Sequence, residues 1–271
     1  MRNYSLLRHI GKAVLFGEFQ ESSPVVMFTA YFDASGTKLA PILTVVGFVS
    51  RAKKWDKFND EWTAILAREQ VQSFHMTDFV SSKKEFSGWK GQTERRKKFI
   101  ADLAECIRRH TNKGFGSSTL ISDYNEVNVD FMLQEYAGTP FVMSTRACLG
   151  GLTRWCQKKN VLTENTLVII EKGDDDQGDL IERARLDGFK VIPMLKSDVV
   201  AFQAGDLAAW KFRTAINGMC YGPIAEMSDT HKIIRSLEPV RGLVQNNGVC
   251  EKESLLKLCK KAGIPRRRVP K

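Results

Sequence analysis

The chain has 271 residues, 43% of them hydrophobic and 27% charged, which is enough to bury a substantial core as one large domain or as one domain with an appendage. No stretch approaches the roughly 20 consecutive apolar residues of a membrane-spanning helix, and none of the six cysteines has the C-x-x-C spacing of a zinc site. The 41 Lys and Arg against 31 Asp and Glu give a formal charge of +10, which favours a polyanionic partner such as nucleic acid.

These features predict a soluble protein of a reducing, cytoplasmic compartment. Arg8 and Lys12 interrupt the apolar residues near the first position, and no small-residue cleavage site follows them, which argues against a secretory signal. The cysteines are expected to be buried thiols rather than disulfides.

The predicted elements begin with a strand pair. An apolar, aromatic run over 25–33 ends at Asp33, Ser35-Gly36 is a turn signal behind it, and a second apolar run over 41–50 completes a hairpin. A carboxylate at the end of a buried strand is either bound to something or caps the turn, since charged residues are seldom buried without a partner.

A helix is predicted over 51–70 from apolar residues at three- and four-residue intervals. A short extended or loop segment, 73–80, then places His75 and Asp78 among apolar neighbours, and the stretch 81–98 carries seven Lys and Arg against two Glu. The next predicted elements are a helix from Thr93 through Ile107, a strand over 115–122 and a helical region over 125–159 that is broken near Gly138-Thr-Pro140.

A β-branched run over 165–170 predicts a strand that is buried on both faces and that ends in Glu171. A short helix over 180–186 and a strand over 189–195 follow, with Pro193 indicating a sheet edge or a strand end. The helix predicted over 199–216 has small residues that permit close approach to a sheet, and it contains Asp206. The last fifty residues are expected to form one or two further helices and a basic tail.

The acids Asp33, Glu171 and Asp206 are candidate metal ligands. Gln203 precedes Asp206 by three residues and shares its helical face. An uncompensated carboxylate on a helix face that packs on a sheet is costly, but it is explained if divalent cations bind between the strand ends and the helix. Mg²⁺ or Mn²⁺ prefers such oxygen ligands, and two ions about 3.5–4 Å apart can promote phosphodiester cleavage.

The order of these motifs resembles that of a bacterial family with a ribonuclease-H-like fold, the domain of unknown function DUF3800. The resemblance covers roughly residues 25–217 and rests on short matching motifs. These are Asp33-Ala-Ser-Gly36, His75-Met-Thr-Asp78, Glu171, and Ser197 followed by Gln203-Ala-Gly-Asp206-Leu207. Two positions depart from the family pattern, because Ala34 replaces the usual Glu and Glu171 stands where Asp is commoner.

The resemblance implies an α/β fold with a ribonuclease-H-like mixed sheet flanked by helices, helical insertions and a C-terminal helical extension. The expected division is 1–220 for this domain, with its core at about 25–217, and 221–271 for the extension with its basic tail. The implied activity is metal-dependent hydrolysis of nucleic acid. The residues assigned to catalysis are Asp33, Glu171, Asp206 and His75, of which the three acids hold the metal, and the supporting residues are Asp78, Gln203, Ser35 and Lys196.

Each site residue also has a structural interpretation. Asp33 is alternatively a turn cap, Asp206 the partner of a buried cation such as Lys196, and His75 a hydrogen-bonded structural residue. The basic stretch has the composition of a surface that follows a nucleic-acid backbone, or else of a solvated loop and helix start. The residues assigned to nucleic-acid binding there are Lys83, Lys84, Trp89, Lys90, Arg95 and Arg96.

Two other functions remain open from the sequence. One is a nucleic-acid-binding or regulatory module that keeps the fold without the chemistry, which the missing carboxylate at Ala34 favours. The other is an enzyme acting on a different phosphorylated compound. The sequence does not distinguish DNA from RNA and identifies no protein partner.

Overall fold

The computed structural model describes residues 26–36, 40–173, 176–221 and 242–267. Within these ranges a six-stranded mixed sheet forms the centre of the molecule, in the strand order β5-β4-β1-β2-β3-β6. The strands are β1 (Phe28–Ser35), β2 (Ile42–Ser50), β3 (Lys113–Leu120), β4 (Thr166–Glu171), β5 (Lys190–Met194) and β6 (Asn246–Cys250).

The sheet combines antiparallel and parallel pairs. β1, β2 and β3 form an antiparallel meander, whereas β4 lies parallel to β1, β5 parallel to β4, and β6 parallel to β3. The parallel strands β1, β4 and β5 therefore end at the same edge of the sheet, where side chains that follow each strand meet. Pro193 lies on β5 and pairs with Ile170 of β4. β5 is an edge strand among the described residues, as the proline predicts.

Helices cover both faces of the sheet. They are α1 (Ala52–Arg68), α2 (Met76–Val80), α3 (Thr93–His110), α4 (Ile121–Asp130), α5 (Leu133–Ala137), α6 (Pro140–Lys158), α7 (Gln177–Leu186), α8 (Ala201–Cys220) and α9 (Lys252–Ala262). Single 3₁₀ turns lie at Lys84–Trp89, Thr163–Asn165 and Lys196–Asp198. None of the helices in the described part of the chain has both the length and the hydropathy needed to cross a membrane.

The two helical layers each have their own apolar core. On one face α1, α3 and α8 pack against Tyr31 and Phe48, and on the other α6 and α7 pack against Ala30 and Phe32. Because side chains alternate along a strand, Asp33 lies on the same face as Tyr31, under α8. This alternation decides which helix the carboxylate meets.

The expected α/β architecture, a mixed sheet flanked by helices, is confirmed. The break predicted near Gly138-Thr-Pro140 is present, since α5 ends at Ala137 and α6 begins at Pro140. The segment 73–80 differs from the expected loop, because Met76–Val80 forms the short helix α2.

The C-terminal segment contains a strand that the sequence did not predict. β6 adds to the sheet beside β3, and α9, in the expected helical extension, then packs against α4 and α5. In the basic tail, Arg267 is bound to Glu135 at 2.8 Å. Residues 1–25 and 222–241 lie outside the described residues, and so do the parts of the two expected domains that they cover.

Candidate metal centre

The acids at the ends of β1 and β4 meet because of the strand register. Phe32 pairs with Ile170 in parallel, so Asp33 and Glu171 are neighbours on the α8 face of the sheet. Desolvation raises the pKa of Asp33, and the neighbouring Glu171 carboxyl raises it further. Two acids from strands about 140 residues apart in the sequence thus share one position at the edge of the sheet.

Lys196 joins these two acids. It follows β5, the third strand that ends at this edge, and its Nζ lies 3.0 Å from Asp33 Oδ2 and 3.4 Å from Glu171 Oε2. The sequence suggested Lys196 as a partner of Asp206, whereas its hydrogen bonds are to the two strand-end acids. The ammonium supplies the positive charge that the buried Asp33 carboxylate requires.

Asp206 reaches the same site from α8. The preceding Gly205 lies against Asp33, and a Cβ at that glycine would come within 2.7 Å of the Asp33 Cβ. Only glycine therefore allows the helix to approach β1 so closely. The Asp206 charge acts on both Asp33 and Lys196 and raises the pKa of each, which places the third acid in one electrostatic unit with them.

His75 lies beside Asp206, at the N-terminus of α2. Its Nδ1 is 3.6 Å from Asp206 Oδ2, and the Met76 backbone N–H donates to the same oxygen at 2.8 Å. The His75 side chain is 45% exposed, yet its Nδ1 atom is buried and has no hydrogen-bond partner within the described ranges of the chain. A buried nitrogen without a partner beside a carboxylate is available to a ligand.

Gln203 positions this side of the site rather than entering it. Its Oε1 accepts from Trp62 Nε1 and from the Phe74 backbone N–H, both at 2.9 Å. These bonds fix the segment that leads to His75 against α8. Gln203 shares a helical face with Asp206, as its spacing predicts, and its hydrogen bonds are to Trp62 and Phe74.

Burial controls the charge state of the centre. Desolvation raises the pKa of Asp33 well above its usual range, the hydrogen bond with Glu171 adds to this, and the Lys196 ammonium acts in the opposite direction. The surrounding acids raise the pKa of Lys196 despite its partial burial. Such a cluster of like charges is typical of a functional site, because a structural core gains nothing from it.

The donor set fits a hard divalent cation. It offers three carboxylates from three different elements, with the orphaned His75 nitrogen beside one of them. The Lys196 ammonium already lies between two of these carboxylates, which marks a place where positive charge is stabilised. Oxygen ligands of this kind suit Mg²⁺ or Mn²⁺.

Two of the supporting residues lie apart from this cluster. Asp78 pairs with Lys84 at 2.8 Å instead of turning toward the acids. Ser35 is the last residue of β1, paired with Thr44 of β2, and no described contact links its side chain to the site. The structure thus brings together Asp33, Glu171, Asp206, Lys196 and His75, with Gln203 behind them.

The basic stretch 81–98 is only partly a solvent-facing surface. Lys83 and Lys90 are exposed, but Lys84 is paired with Asp78, and Arg95 is bound to Glu69 at 2.9 Å. Arg96 is 2% exposed and donates to Ser82 Oγ and to the Phe79 carbonyl. The assignment of Arg96 to nucleic-acid binding is therefore wrong, because its guanidinium is used inside the protein.

The stacking role predicted for Trp89 is also wrong. Its ring is 4% exposed and packs against Phe86 and Phe99 with centroid distances of 5.3 and 5.1 Å, while the Arg95 guanidinium covers it at 3.9 Å. The composition of the stretch did not reveal that its aromatic residues turn inward. Trp89 is a core residue of the α3 face.

We expect Trp89→Ala to lower the free energy of unfolding by about 3 kcal/mol, because it leaves a large cavity in the aromatic cluster. Urea denaturation measures this loss, and Lys90→Ala is the matched control, which should change stability by less than about 0.5 kcal/mol. Undiminished stability together with weaker single-strand binding would instead restore Trp89 to a stacking surface.

A second group of metal-type ligands lies away from the acidic centre. Glu61 of α1 and Cys106 and His110 of α3 place one ligand atom each within 4.8 Å of one another. Glu61 Oε2 lies 2.7 Å from His110 Nε2, and Arg109 binds the other Glu61 oxygen at 2.9 Å. Burial raises the pKa of the Cys106 thiol to about 12, which keeps it protonated unless a metal is bound.

Comparisons with known proteins give a structural likeness of low similarity. No family model matches the chain, and no curated protein matches it. Among solved structures, the ribonuclease H2 from Pyrococcus horikoshii OT3 aligns with 14% identity and a TM-score of 0.37, over 85% of this chain and 100% of that one.

Proposed function

We propose that this protein is a metal-dependent nuclease that hydrolyses phosphodiester bonds in nucleic acid, with Asp33, Glu171 and Asp206 holding Mg²⁺ or Mn²⁺. The observation that carries the proposal is the meeting of these three carboxylates, from β1, β4 and α8, around one lysine at the edge of the sheet. Bringing acids together in a partly buried position costs stability, and a cation-dependent reaction explains why the chain does so.

The side chains have separate roles in this scheme. The Asp33 carboxylate is fixed by the Ala34 N–H, which donates to its Oδ1 at 2.9 Å, so its second oxygen has a defined direction. Bound divalent ions supply charge that activates water and stabilises the leaving oxygen. His75 lies half-exposed beside Asp206, and its Nδ1, 3.6 Å from Asp206 Oδ2, is placed to orient that carboxylate toward a metal.

The basic character of the chain supports a polyanionic substrate. The acidic centre repels phosphate groups until cations neutralise it, so the attraction must come from surrounding Lys and Arg, which exceed the acids by ten in the whole sequence. Of the stretch 81–98, the exposed Lys83 and Lys90 remain suited to this role.

A catalytically inactive binding module is the second candidate. The Lys196 ammonium occupies the space between Asp33 and Glu171, and Ala34 provides no further carboxylate. In such a module Lys196 would hold the acids permanently, and divalent cations would have no effect on the protein. The two candidates therefore differ in metal binding as well as in activity.

We expect the purified protein to cleave labelled oligonucleotides in Mg²⁺ or Mn²⁺ and to leave them intact in EDTA. The substrates are single- and double-stranded DNA and RNA and an RNA–DNA hybrid, separated on denaturing gels. In parallel, electron paramagnetic resonance counts bound Mn²⁺, and Glu61→Gln serves as the control that removes the second ligand group. Metal binding that disappears in Glu61→Gln, or intact substrates in every metal, would contradict the proposal.

A further inference from the structure

A cleft of about 200 Å³ lies beside the acidic centre, between α8 and the start of β2. Its α8 side is formed by Trp210, Arg213, Thr214 and Asn217, and its other side by the chain that enters β2 at Pro41-Ile42. β2 runs antiparallel to β1, so its start lies at the edge where β1 ends after Asp33. The cleft and the three acids therefore open at the same edge of the sheet.

The distance between the cleft and the acids follows from helix geometry. Arg213 comes seven residues after Asp206 on α8, which is two turns along one face and about 10 Å of rise. Burial lowers the pKa of the Arg213 guanidinium, and the Asp206 charge is near enough to oppose this effect. Arg213 thus lies on the same side of α8 as Asp206, about 10 Å from it along the helix axis.

Arg213 has no counter-ion among the residues that the structure describes. No hydrogen bond or ion pair to its guanidinium is found there, and burial outweighs the attraction of Asp206 to lower its pKa. By contrast, the buried Arg96 donates to Ser82 Oγ and to the Phe79 carbonyl, and even the exposed Arg95 and Arg267 are each bound to a carboxylate. A partly buried guanidinium that lines a cleft and lacks an anion is suited to bind one.

The neighbours of Arg213 favour a phosphodiester over other anions. The guanidinium fork matches two phosphate oxygens, and Thr214 and Asn217 add uncharged polar groups for further phosphate or sugar oxygens. A small metabolite carboxylate would not need to lie beside a metal centre.

We propose that this cleft binds a backbone phosphate of the substrate strand next to the bond that is cleaved, with Arg213 as its anchor. The inference rests on the proposed nuclease function and adds to it the position where the strand is held. A strand that crosses the acids would place a neighbouring phosphate in the cleft, and this contact fixes which bond reaches the metal ligands.

The test is fluorescence anisotropy of a labelled single-stranded oligonucleotide at several salt concentrations, with Ca²⁺ in place of Mg²⁺ so that the acids are neutralised and binding is followed ahead of cleavage. We expect Arg213→Gln to weaken binding roughly ten- to a hundredfold, as for a lost charge-assisted hydrogen bond, and to reduce the slope of log affinity against log salt by about 0.7. The affinity and the salt slope of Arg213→Lys should lie between those of the wild type and those of Arg213→Gln. Arg154→Gln, which removes an exposed arginine from α6, is the control for net charge.

Oligonucleotides with one uncharged methylphosphonate at successive positions locate the contact. For the wild-type protein, the methylphosphonate at one position should reduce affinity more than it does at the other positions. For Arg213→Gln, the methylphosphonate at that position should cause no extra loss of affinity. Equal effects of Arg213→Gln and Arg154→Gln, with both proteins folded by circular dichroism, would overturn the inference and leave the nuclease proposal intact. Absence of oligonucleotide binding by the wild-type protein would overturn both.

Discussion

Replacing Asp33 with Asn is expected to reduce phosphodiester cleavage by roughly a hundred- to a thousandfold while the protein remains folded. Asn keeps the size of the side chain and can still accept the Ala34 N–H bond, but it removes the charge that attracts a cation. Because Asp33 is buried among like charges, the loss of one charge relieves repulsion in the metal-free protein. The melting temperature should therefore be equal to that of the wild type or higher.

The measurements are single-turnover cleavage in saturating Mn²⁺ and thermal unfolding in EDTA. Asp187→Asn is the matched control, since Asp187 pairs with Arg146 on the surface and lies outside the acidic centre. It should cleave at the wild-type rate. A fall in activity that accompanies a large fall in melting temperature would show that Asp33 is a structural residue, as the turn-cap interpretation holds.

The sequence was sufficient to predict the sheet strands that carry the acids, because these strands have strong local signals. The β-branched run before Glu171 and the aromatic run before Asp33 each end in a charge where a buried strand stops. Parallel pairing of the two strands was not visible locally, and it was not predicted. The register of Phe32 with Ile170 then brings the two carboxylates together.

Side-chain direction in irregular segments was not predictable. Trp89 and Arg96 lie in a stretch whose charge suggests an exposed surface, but both pack inward against Phe79. The 3₁₀ turn Lys84–Trp89 has no long period from which an inner face can be read. Arg213 was missed for another reason, since its seven-residue spacing from Asp206 gains meaning only when the cleft beside α8 is seen.

The strand β6 was missed because its signal is weak. Asn246-Asn-Gly-Val-Cys250 lacks the apolar alternation of a strand and contains a glycine. It is paired on one side, by β3, and its place in the sheet depends on that tertiary partner. Local propensity decides little for such a short strand.

Replacing Lys196 with Met is expected to destabilise the metal-free protein by about 3–5 kcal/mol at neutral pH, because it leaves the buried Asp33 carboxylate without its counter-ion. Methionine retains most of the aliphatic side chain, so the change removes mainly charge. Lys97→Met is the control, since Lys97 belongs to an exposed pair with Glu94 and should contribute less than about 0.5 kcal/mol.

The loss of stability in Lys196→Met should increase as pH rises. The pKa of Asp33 is raised in the folded protein, so folding favours the protonated form of this carboxyl. The stability that this preference contributes is fully present below the usual carboxyl pKa range. It is lost as pH rises through the raised pKa. Lys196 holds that pKa down, and Lys196→Met raises it further. The variant should therefore be close to wild-type stability in acid and fall progressively toward neutral pH.

Divalent metal and a second substitution separate charge from packing in this result. Urea denaturation at pH 5 and pH 8, in EDTA and in excess Mg²⁺, should show that the metal restores stability at pH 8, since an ion that binds the folded state supplies the missing charge. The double variant Asp33→Asn/Lys196→Met should regain most of the stability without metal, because no buried carboxylate is left unpaired. A loss that is the same at both pH values and in both variants would mean that Lys196 acts only through packing. Recovery by metal in the single variant and by Asn in the double variant would identify the Lys196 ammonium as the group that neutralises Asp33 when no cation is bound.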